Sequence, residues 1–216
     1  AIQGNQIILL VVPSHVVRKI ANAINPFLNS ENLIINAGKG IENNSLSTIR
    51  QILKDTFLNK YQVATLSGPT FAIEIAKEVP SAIVAAADTT TQAEQIQNIF
   101  SCPYLKVFTS IDPFGVEIGG ALKNVIAIAT GICDGLNVGN NARAALITRG
   151  LNEISRIGVA LGAKPNTFYG LSGLGDLVLT CTGKLSRNRN VGIRIGQGEN
   201  IDNILKSMDF VAEGIL

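Results

Sequence analysis

The sequence predicts an α/β fold, with a mainly parallel sheet in the first half of the chain and only helices in the second. In the first half, short apolar runs alternate with helical periodicity about every thirty residues, which is typical of parallel βαβ units. From Ile111 onward, apolar residues recur at helical spacing without a further strand pattern. We therefore expect two domains, at residues 1–110 and 111–216.

The first half begins with a continuous apolar run, Gln6 to Val12, which predicts a strand buried on both faces. Pro13 and Ser14 end this run, and a helix is expected from His15 to Ile24. Further strands are predicted at residues 33–36, 62–66, 81–86 and 105–109, with helices at residues 44–57, 71–77 and 91–100 between them.

Three loops lie where the predicted strands end, at residues 13–15, 38–40 and 67–70, and ligands collect at this edge of such sheets. The glycines beside Lys39 allow a close approach of the backbone to a ligand, and Lys39 adds a positive charge. The turn that contains Thr70 is either an anion seat at a helix start or an ordinary turn. His15, the only histidine, is interpreted as a capping or cofactor-contact residue and not as a catalytic base.

In the second half, the helix predicted at residues 114–135 carries one lysine, Lys123, in an otherwise apolar sequence. The residues that share its helical face are all small: Gly119, Gly120, Ala127, Thr130 and Gly131. Burial in such a trough lowers the pKa of a lysine toward the range useful for proton transfer. The alternative is that Lys123 extends along the helix surface to water.

Two later segments supply polar groups at helix starts. GLSGLGD, residues 170–176, lacks the G-x-G-x-x-G spacing and is expected to be a tight turn that places Asp176 at the start of a helix. There Asp176 either compensates the helix dipole or holds the ammonium of Lys123. Ser186 is expected to cap a helix with Arg187 and Asn188 in its first turn, which indicates a phosphate site or, alternatively, an exposed basic turn.

Composition excludes several classes of protein. Hydrophobic residues make up 46% of the chain and charged residues 16%, which is typical of a compact globular protein. The net charge of +2 without a basic run argues against a nucleic-acid partner. Three scattered cysteines without metal-ligand spacing predict no metal site and favour a reducing cytoplasm. We also expect no signal peptide and no stable membrane insertion.

The segments SGPTFAIEIA, GGALKNVIAIATG, ARAALITRGL, GLGDLVLTC and SRNRN occur in this order along the chain. With them, the sequence closely resembles bacterial NAD(P)-dependent glycerol-3-phosphate dehydrogenase. The resemblance implies a Rossmann domain followed by a helical domain, NAD or NADP as cofactor, and interconversion of glycerol 3-phosphate and dihydroxyacetone phosphate. It also implies supply of glycerol 3-phosphate for phospholipid synthesis, and we expect a homodimer.

Carried over residue by residue, the resemblance makes Lys123 the proton-transferring residue, oriented by Asp176 and Asn124. The residues that it implies at the substrate are Lys39, Gly68, Thr70, Lys123, Asp176, Thr180, Ser186, Arg187 and Asn188. The residues expected at the cofactor are Lys39, Ala72, Arg187, Val211 and Glu213, in addition to His15.

The chain departs from this family at its start. The family begins with a strand and a G-x-G-x-x-G turn that holds the pyrophosphate, whereas position 1 here resembles the start of the family's fourth strand. The resemblance therefore implies a fragment without the Gly-rich half of the Rossmann domain and with a shortened C-terminus, for which we expect weak or absent cofactor binding and little activity. The alternatives are a cofactor-deficient or non-catalytic binding module, and a related reductase of another small hydroxy acid.

Overall fold

In the computed structural model, which describes residues 2–58, 60–208 and 212–215, five strands form one sheet in the order β1-β2-β3-β4-β5. The strands are β1 Ile7–Leu10, β2 Leu33–Asn36, β3 Gln62–Ser67, β4 Ser81–Ala86 and β5 Leu105–Ser110. Only the β3–β4 pair is antiparallel; the other three neighbouring pairs are parallel. This arrangement confirms the mainly parallel sheet predicted for the first half.

Helices connect the strands and then make up the second half of the described chain. The helices of the sheet half are α1 Val17–Ile24, α2 Ile49–Thr56, α3 Ala72–Ala76 and α4 Thr90–Phe100. Those of the helical half are α5 Pro113–Gly135, α6 Asn140–Ala160, α7 Asp176–Thr182, α8 Arg187–Gly196 and α9 Ile201–Lys206. One apolar cluster packs on each face of the sheet, and another fills the space between α5, α6 and α7.

Two elements of the sheet half differ from the prediction. β1 is not buried on both faces: its side chains alternate, and Leu9 is 43% exposed, because β1 is an edge strand that packs on α1 and α2 with one face. The second helix begins at Ile49 and not at Asn44. Thr48 accepts a hydrogen bond from the amide of Gln51 in a capping box, which sets the start of α2.

The long helix α5 has the length and mean hydropathy of a membrane-crossing segment, with 23 residues and a hydropathy of 1.4. Its bounds, Pro113–Gly135, agree with the helix predicted at residues 114–135. Within its most apolar window, 61% is buried inside the protein, which favours the core of a folded domain over a membrane span.

Helices α5 and α8 pack through glycines. Gly131 and Gly135 of α5 face Gly192 and Gly196 of α8, in the same order along both helices, so the two helices run parallel at this contact. A Cβ atom built on Gly192 would lie 2.1 Å from the carbonyl oxygen of Ile128. The absence of side chains therefore lets the two backbones touch, and this contact fixes the first turn of α8 relative to α5.

We expect Gly192→Ala to destabilise the protein by about 1–3 kcal/mol, because the added methyl group must push α8 away from the Ile128 carbonyl. Urea unfolding measures this change. Gly175→Ala is the matched control, since its Cβ would meet only ordinary contacts, the nearest at 3.4 Å. Equal stability of Gly192→Ala and the parent protein would contradict the close helix contact.

Candidate active site

Lys123 is buried, with 5% of its surface exposed, and its ammonium group does not reach solvent along the helix. Its Nζ donates to Oδ1 of Asp176 at 2.6 Å and to Oγ1 of Thr180 at 2.6 Å. Thr180 in turn donates to the backbone carbonyl of Asp176 at 2.6 Å. Helix α7 therefore holds the ammonium of α5 through two residues one turn apart.

The same carboxylate binds a second lysine. Nζ of Lys39, in the loop after β2, donates to Oδ2 of Asp176 at 2.5 Å and to the carbonyl oxygen of Gly68 at 3.1 Å. The Asp176 side chain is only 1% exposed. One buried carboxylate thus joins an ammonium of the sheet half to an ammonium of the helical half.

The electrostatics of this cluster favour a lysine that can exchange its proton. Burial of the Lys123 ammonium lowers its pKa to about 8, and the positive charge of Lys39 acts in the same direction. Asp176 opposes both effects through its negative charge and its hydrogen bond. Lys123 therefore loses its proton close to neutral pH while it stays hydrogen bonded in a fixed position.

The turn before Asp176 owes its course to glycines. Residues Leu171–Gly175 form a single π-helical turn that runs directly into α7. Gly119 of α5 lets this turn approach, because a Cβ atom there would lie 2.8 Å from the carbonyl oxygen of Ser172. The tight turn predicted from GLSGLGD is thus a π-helical turn, a form that is frequent at functional sites.

Gly120 of α5 lies beside Ser67 and the side chain of Lys39. A Cβ atom built on Gly120 would lie 3.1 Å from Oγ of Ser67 and 3.6 Å from the side-chain carbons of Lys39. The bare backbone of α5 at this point therefore makes room for the hydroxyl of Ser67, while the stem of Lys39 passes at ordinary contact distance. In this way the small residues around Lys123 admit partners from two other segments.

The predicted phosphate segment begins α8. Ser186 caps the helix, as predicted, by accepting a hydrogen bond from the amide of Arg189 at 3.2 Å. Arg187 is exposed, whereas Asn188 is buried and accepts a hydrogen bond through Oδ1 from the amide of Gly214 at 3.1 Å. Asn188 thus joins the first turn of α8 to the segment that contains Gly214.

This segment lies next to α5. A Cβ atom on Gly214 would lie 2.9 Å from the backbone carbonyl of Asn124, the residue that follows Lys123. Arg189 donates from Nε to Oδ2 of Asp134 at 2.9 Å, which ties the first turn of α8 to α5. The predicted phosphate residues and the Lys123 helix are therefore joined through Gly214 and Asp134.

Three of the residues expected at the cofactor, His15, Lys39 and Ala72, follow the ends of strands. His15 is exposed just after β1, and Ala72 is exposed at the start of α3 after β3. Glu213 accepts from Oγ of Ser14 at 2.8 Å and from the Ser14 amide at 3.3 Å. Val211 lies outside the described residues. Gly68 and Thr70 follow β3, and Gly68 contributes the carbonyl that binds Lys39.

Sequence reasoning missed one buried acid at this site. Glu117 of α5 is 7% exposed and accepts hydrogen bonds from Asn36, Thr65 and the amide of Arg50. The signal that could have found it is the same that identified Lys123, a charged residue within an apolar helix. Ser67, whose buried hydroxyl has no partner among the described residues, was also missed.

Comparison with known families gives two matches of the same kind. Residues 1–93 match the family model of the NAD-dependent glycerol-3-phosphate dehydrogenase N-terminus, and residues 112–216 match that of the corresponding C-terminus. The chain is 53% identical over 217 aligned residues to a glycerol-3-phosphate dehydrogenase [NAD(P)+] from Citrifermentans bemidjiense, covering all of this chain. It is 47% identical to one from Fusobacterium nucleatum.

Solved structures agree with this similarity. The glycerol-3-phosphate dehydrogenase of Coxiella burnetii superposes with a TM-score of 0.93 at 36% identity, over 98% of this chain and 65% of that one. The yeast enzyme GPD1 superposes with a TM-score of 0.87 at 27% identity, over 99% of this chain and 64% of that one. The chain spans about 65% of the length of the curated relatives that it matches.

The buried ammonium makes stability depend on pH. The pKa of Lys123 is about 8 in the folded protein against an ordinary value of 10.5, so the unfolded chain binds more protons between these values and stability rises with pH. We expect the free energy of unfolding to rise by about 2 kcal/mol between pH 8 and pH 10 through this group.

Lys123→Met is the matched variant, because it keeps the length of the side chain and removes the titrating group. Urea unfolding at both pH values, compared between variant and parent, isolates the contribution of Lys123 from that of other groups. The same pH dependence in both proteins would show that the ammonium is not desolvated.

Proposed function

Because this chain belongs to the NAD-dependent glycerol-3-phosphate dehydrogenase family, we propose that it interconverts glycerol 3-phosphate and dihydroxyacetone phosphate with NAD or NADP. The observation that carries this proposal is the buried cluster in which Asp176 binds the ammonium groups of both Lys123 and Lys39. A lysine with a pKa of about 8, held in place on two sides, suits a proton donor that works near neutral pH.

The role proposed for Lys123 is proton transfer at the oxygen on carbon 2 of the substrate. In reduction, Lys123 donates its proton to the ketone oxygen as this oxygen becomes a hydroxyl; in oxidation, neutral Lys123 takes the proton back. Asp176 and Thr180 hold Nζ so that one direction remains for the substrate. Asn124, adjacent on α5, is proposed to help orient the reacting group.

Lys39 is proposed to bind the substrate from the opposite side. Its side chain is 23% exposed, against 7% for the side chain of Lys123, so Lys39 is the more accessible of the two lysines. With one carboxylate between two ammonium groups, the cluster carries a net positive charge when Lys123 is protonated. This charge favours the negative charge that develops on the substrate oxygen during reduction.

The proposed phosphate site is the first turn of α8, where Ser186, Arg187 and Asn188 lie. The guanidinium of the exposed Arg187 and the side-chain amide of Asn188 are donor groups of the kind that suit a phosphate. Gly68 and Thr70 are proposed to line the substrate from the sheet side. Binding of the phosphate at a distance from the reacting carbon holds the carbonyl in place and lowers the entropic barrier.

The residues present fit a nicotinamide cofactor at the carboxyl edge of the sheet. His15, Lys39 and Ala72 lie in the segments that follow β1, β2 and β3, where α/β sheets bind such ligands, and Glu213 binds Ser14 in the first of these segments. Gly40, with a φ of +133°, lets the loop after β2 lie close to Ser14, because a Cβ atom on Gly40 would lie 2.7 Å from Oγ of Ser14. When bound, the cofactor supplies or accepts the hydride at carbon 2.

Four further proposals rest on more general support. The division into domains at residues 1–110 and 111–216 is supported by the end of β5 at Ser110 and the start of α5 at Pro113. A cytoplasmic location is supported by three free cysteines. A homodimer and a role in phospholipid precursor supply are supported by the family resemblance.

Turnover should depend on the proton of Lys123. Reduction needs the protonated form, so kcat/KM for dihydroxyacetone phosphate in the full-length protein should fall above pH 8; oxidation needs the neutral form and should rise through the same range. Lys123→Met should lower kcat by about 100-fold or more. Steady-state kinetics across pH 6–10 measure both effects.

Lys123→Arg is the control that separates charge from proton transfer. A guanidinium keeps the positive charge, but its pKa is too high for it to give up a proton at neutral pH. We therefore expect Lys123→Arg to remain as impaired as Lys123→Met, with the dissociation constant of the reduced cofactor unchanged in both. Near-normal turnover in either variant would remove Lys123 from the proton transfer.

The phosphate site predicts a preference for a phosphorylated substrate. Arg187→Ala should raise KM for dihydroxyacetone phosphate by about 100-fold, because a charge-assisted phosphate contact is lost, while activity on unphosphorylated dihydroxyacetone stays nearly unchanged. Lys184→Ala, which removes an exposed charge just before the cap, is the matched control and should change KM little. Equal activity of the parent protein on both substrates would favour a reductase of another hydroxy compound.

A further inference from the structure

Glu117 lies where the helical half meets the sheet. It belongs to α5, six residues before Lys123, and its carboxylate is buried against β2, β3 and the start of α2. Oε1 accepts from Nδ2 of Asn36 at 2.8 Å and from Oγ1 of Thr65 at 3.0 Å, and Oε2 accepts from the amide of Arg50 at 3.0 Å. A buried carboxylate with several donors is held in one position, because any move leaves its charge unsatisfied.

The partners of Glu117 lead directly to Lys39. Asn36 ends β2 and donates from the same Nδ2 to the carbonyl of Gly38, while its Oδ1 accepts from the Gly38 amide at 2.8 Å. Asn36 therefore sets the loop that presents Lys39. Thr65 lies three residues before Gly68, whose carbonyl accepts from Nζ of Lys39. The strands that lead to Lys39 and to Gly68 thus each contain a residue that Glu117 binds, Asn36 and Thr65.

On the other side, Glu117 shares one stripe of α5 with Gly120 and Asn124, at spacings of three and four residues. Gly120 contacts the stem of Lys39, and Asn124 follows Lys123. The carboxylate is therefore a fixed point between the element that carries Lys123 and the loop that carries Lys39.

We propose that Glu117 is a positioning residue that holds the Lys39 loop against α5, so that Lys39 and Lys123 bind the two oxygens of the same Asp176 carboxylate. The kinetic consequences of this inference rest on the proposed function, whereas the placement of the Lys39 loop by Glu117 does not. The hydrogen bonds that Glu117 accepts come from Asn36, Thr65 and Arg50 and not from either ammonium group, so it acts through these three residues.

The test compares Glu117→Ala with Asp112→Ala in the full-length protein. Asp112 is a matched control: it is equally buried, at the start of the same helix, and accepts from Gly115, Lys164 and Thr167, away from the Lys39 loop. Both variants should lower the melting temperature. Only Glu117→Ala should lower kcat for dihydroxyacetone phosphate, by on the order of 100-fold, because the reacting groups lose their alignment.

The pH profile separates positioning from a loss of stability. The charged groups that act on Lys123 are Lys39 and Asp176, and withdrawal of Lys39 raises the pKa of Lys123. The pH at which kcat/KM for dihydroxyacetone phosphate begins to fall should therefore be higher in Glu117→Ala and unchanged in Asp112→Ala. In a protein that already carries Lys39→Ala, Glu117→Ala should lower kcat further by less than about threefold, since its effect passes through Lys39.

Glu117→Gln keeps the volume and one carbonyl oxygen and so covers the case in which the alanine variant fails to fold. Its new amide group faces the Arg50 N–H, and we expect a smaller shift in the same direction. The proposal is overturned if the pH at which kcat/KM begins to fall does not change, or if the effects of Glu117→Ala and Lys39→Ala on kcat are fully additive.

A crystal structure of the glutamine variant decides the geometric claim without an assay. The distance from Nζ of Lys39 to Oδ2 of Asp176, 2.5 Å here, should exceed hydrogen-bond length. A retained contact overturns the positioning role. A parent protein that is inactive on dihydroxyacetone phosphate overturns the proposed function instead, and leaves this distance as the measure of Glu117.

Discussion

The site is organised around the carboxylate of Asp176, which binds one ammonium group from each half of the chain. Removing two positive charges from water is unfavourable unless a negative group replaces the lost hydration, and a single aspartate does this for both. Because two positive charges face one negative charge, the cluster is left with an excess of positive charge. That excess points to a negatively charged ligand or transition state, and it is the physical reason for the chemistry proposed for Lys123.

Holding three charged groups together requires backbones that approach closely, and glycine supplies this approach at each contact. Gly119 admits the turn before Asp176, Gly120 makes room for the hydroxyl of Ser67 beside Lys39, and Gly192 lets α8 touch α5 near the predicted phosphate turn. A Cβ atom at any of these positions would displace a carbonyl or a functional side chain. These glycines of α5 and α8 therefore determine the distances between the reacting groups.

Much of this was predictable from local patterns. The parallel sheet followed by helices, the cap at Ser186 and the unusual placement of Lys123 in an apolar helix all follow from periodicity and residue type. Burial of β1 was predicted wrongly, because an apolar run alone does not distinguish an edge strand from a central one. The start of α2 was placed too early, because the capping box at Thr48 competes with the helical periodicity before it. Glu117 was overlooked, since its donors come from three segments distant in the chain.

Local composition was thus sufficient for the class of fold, for the order of its elements and for the lysine that stands out chemically. Two alternatives stayed open: Lys123 could extend to water or bind Asp176, and Asp176 could act only on the dipole of its own helix. Both were decided by long-range hydrogen bonds, since Asp176 lies 53 positions from Lys123 and 137 positions from Lys39 in the sequence. Periodicity reports which face of a helix is apolar, but it contains no information about the segment that packs there. The shared carboxylate was therefore decided by tertiary packing, because only the folded chain brings Lys39, Lys123 and Asp176 within hydrogen-bond distance.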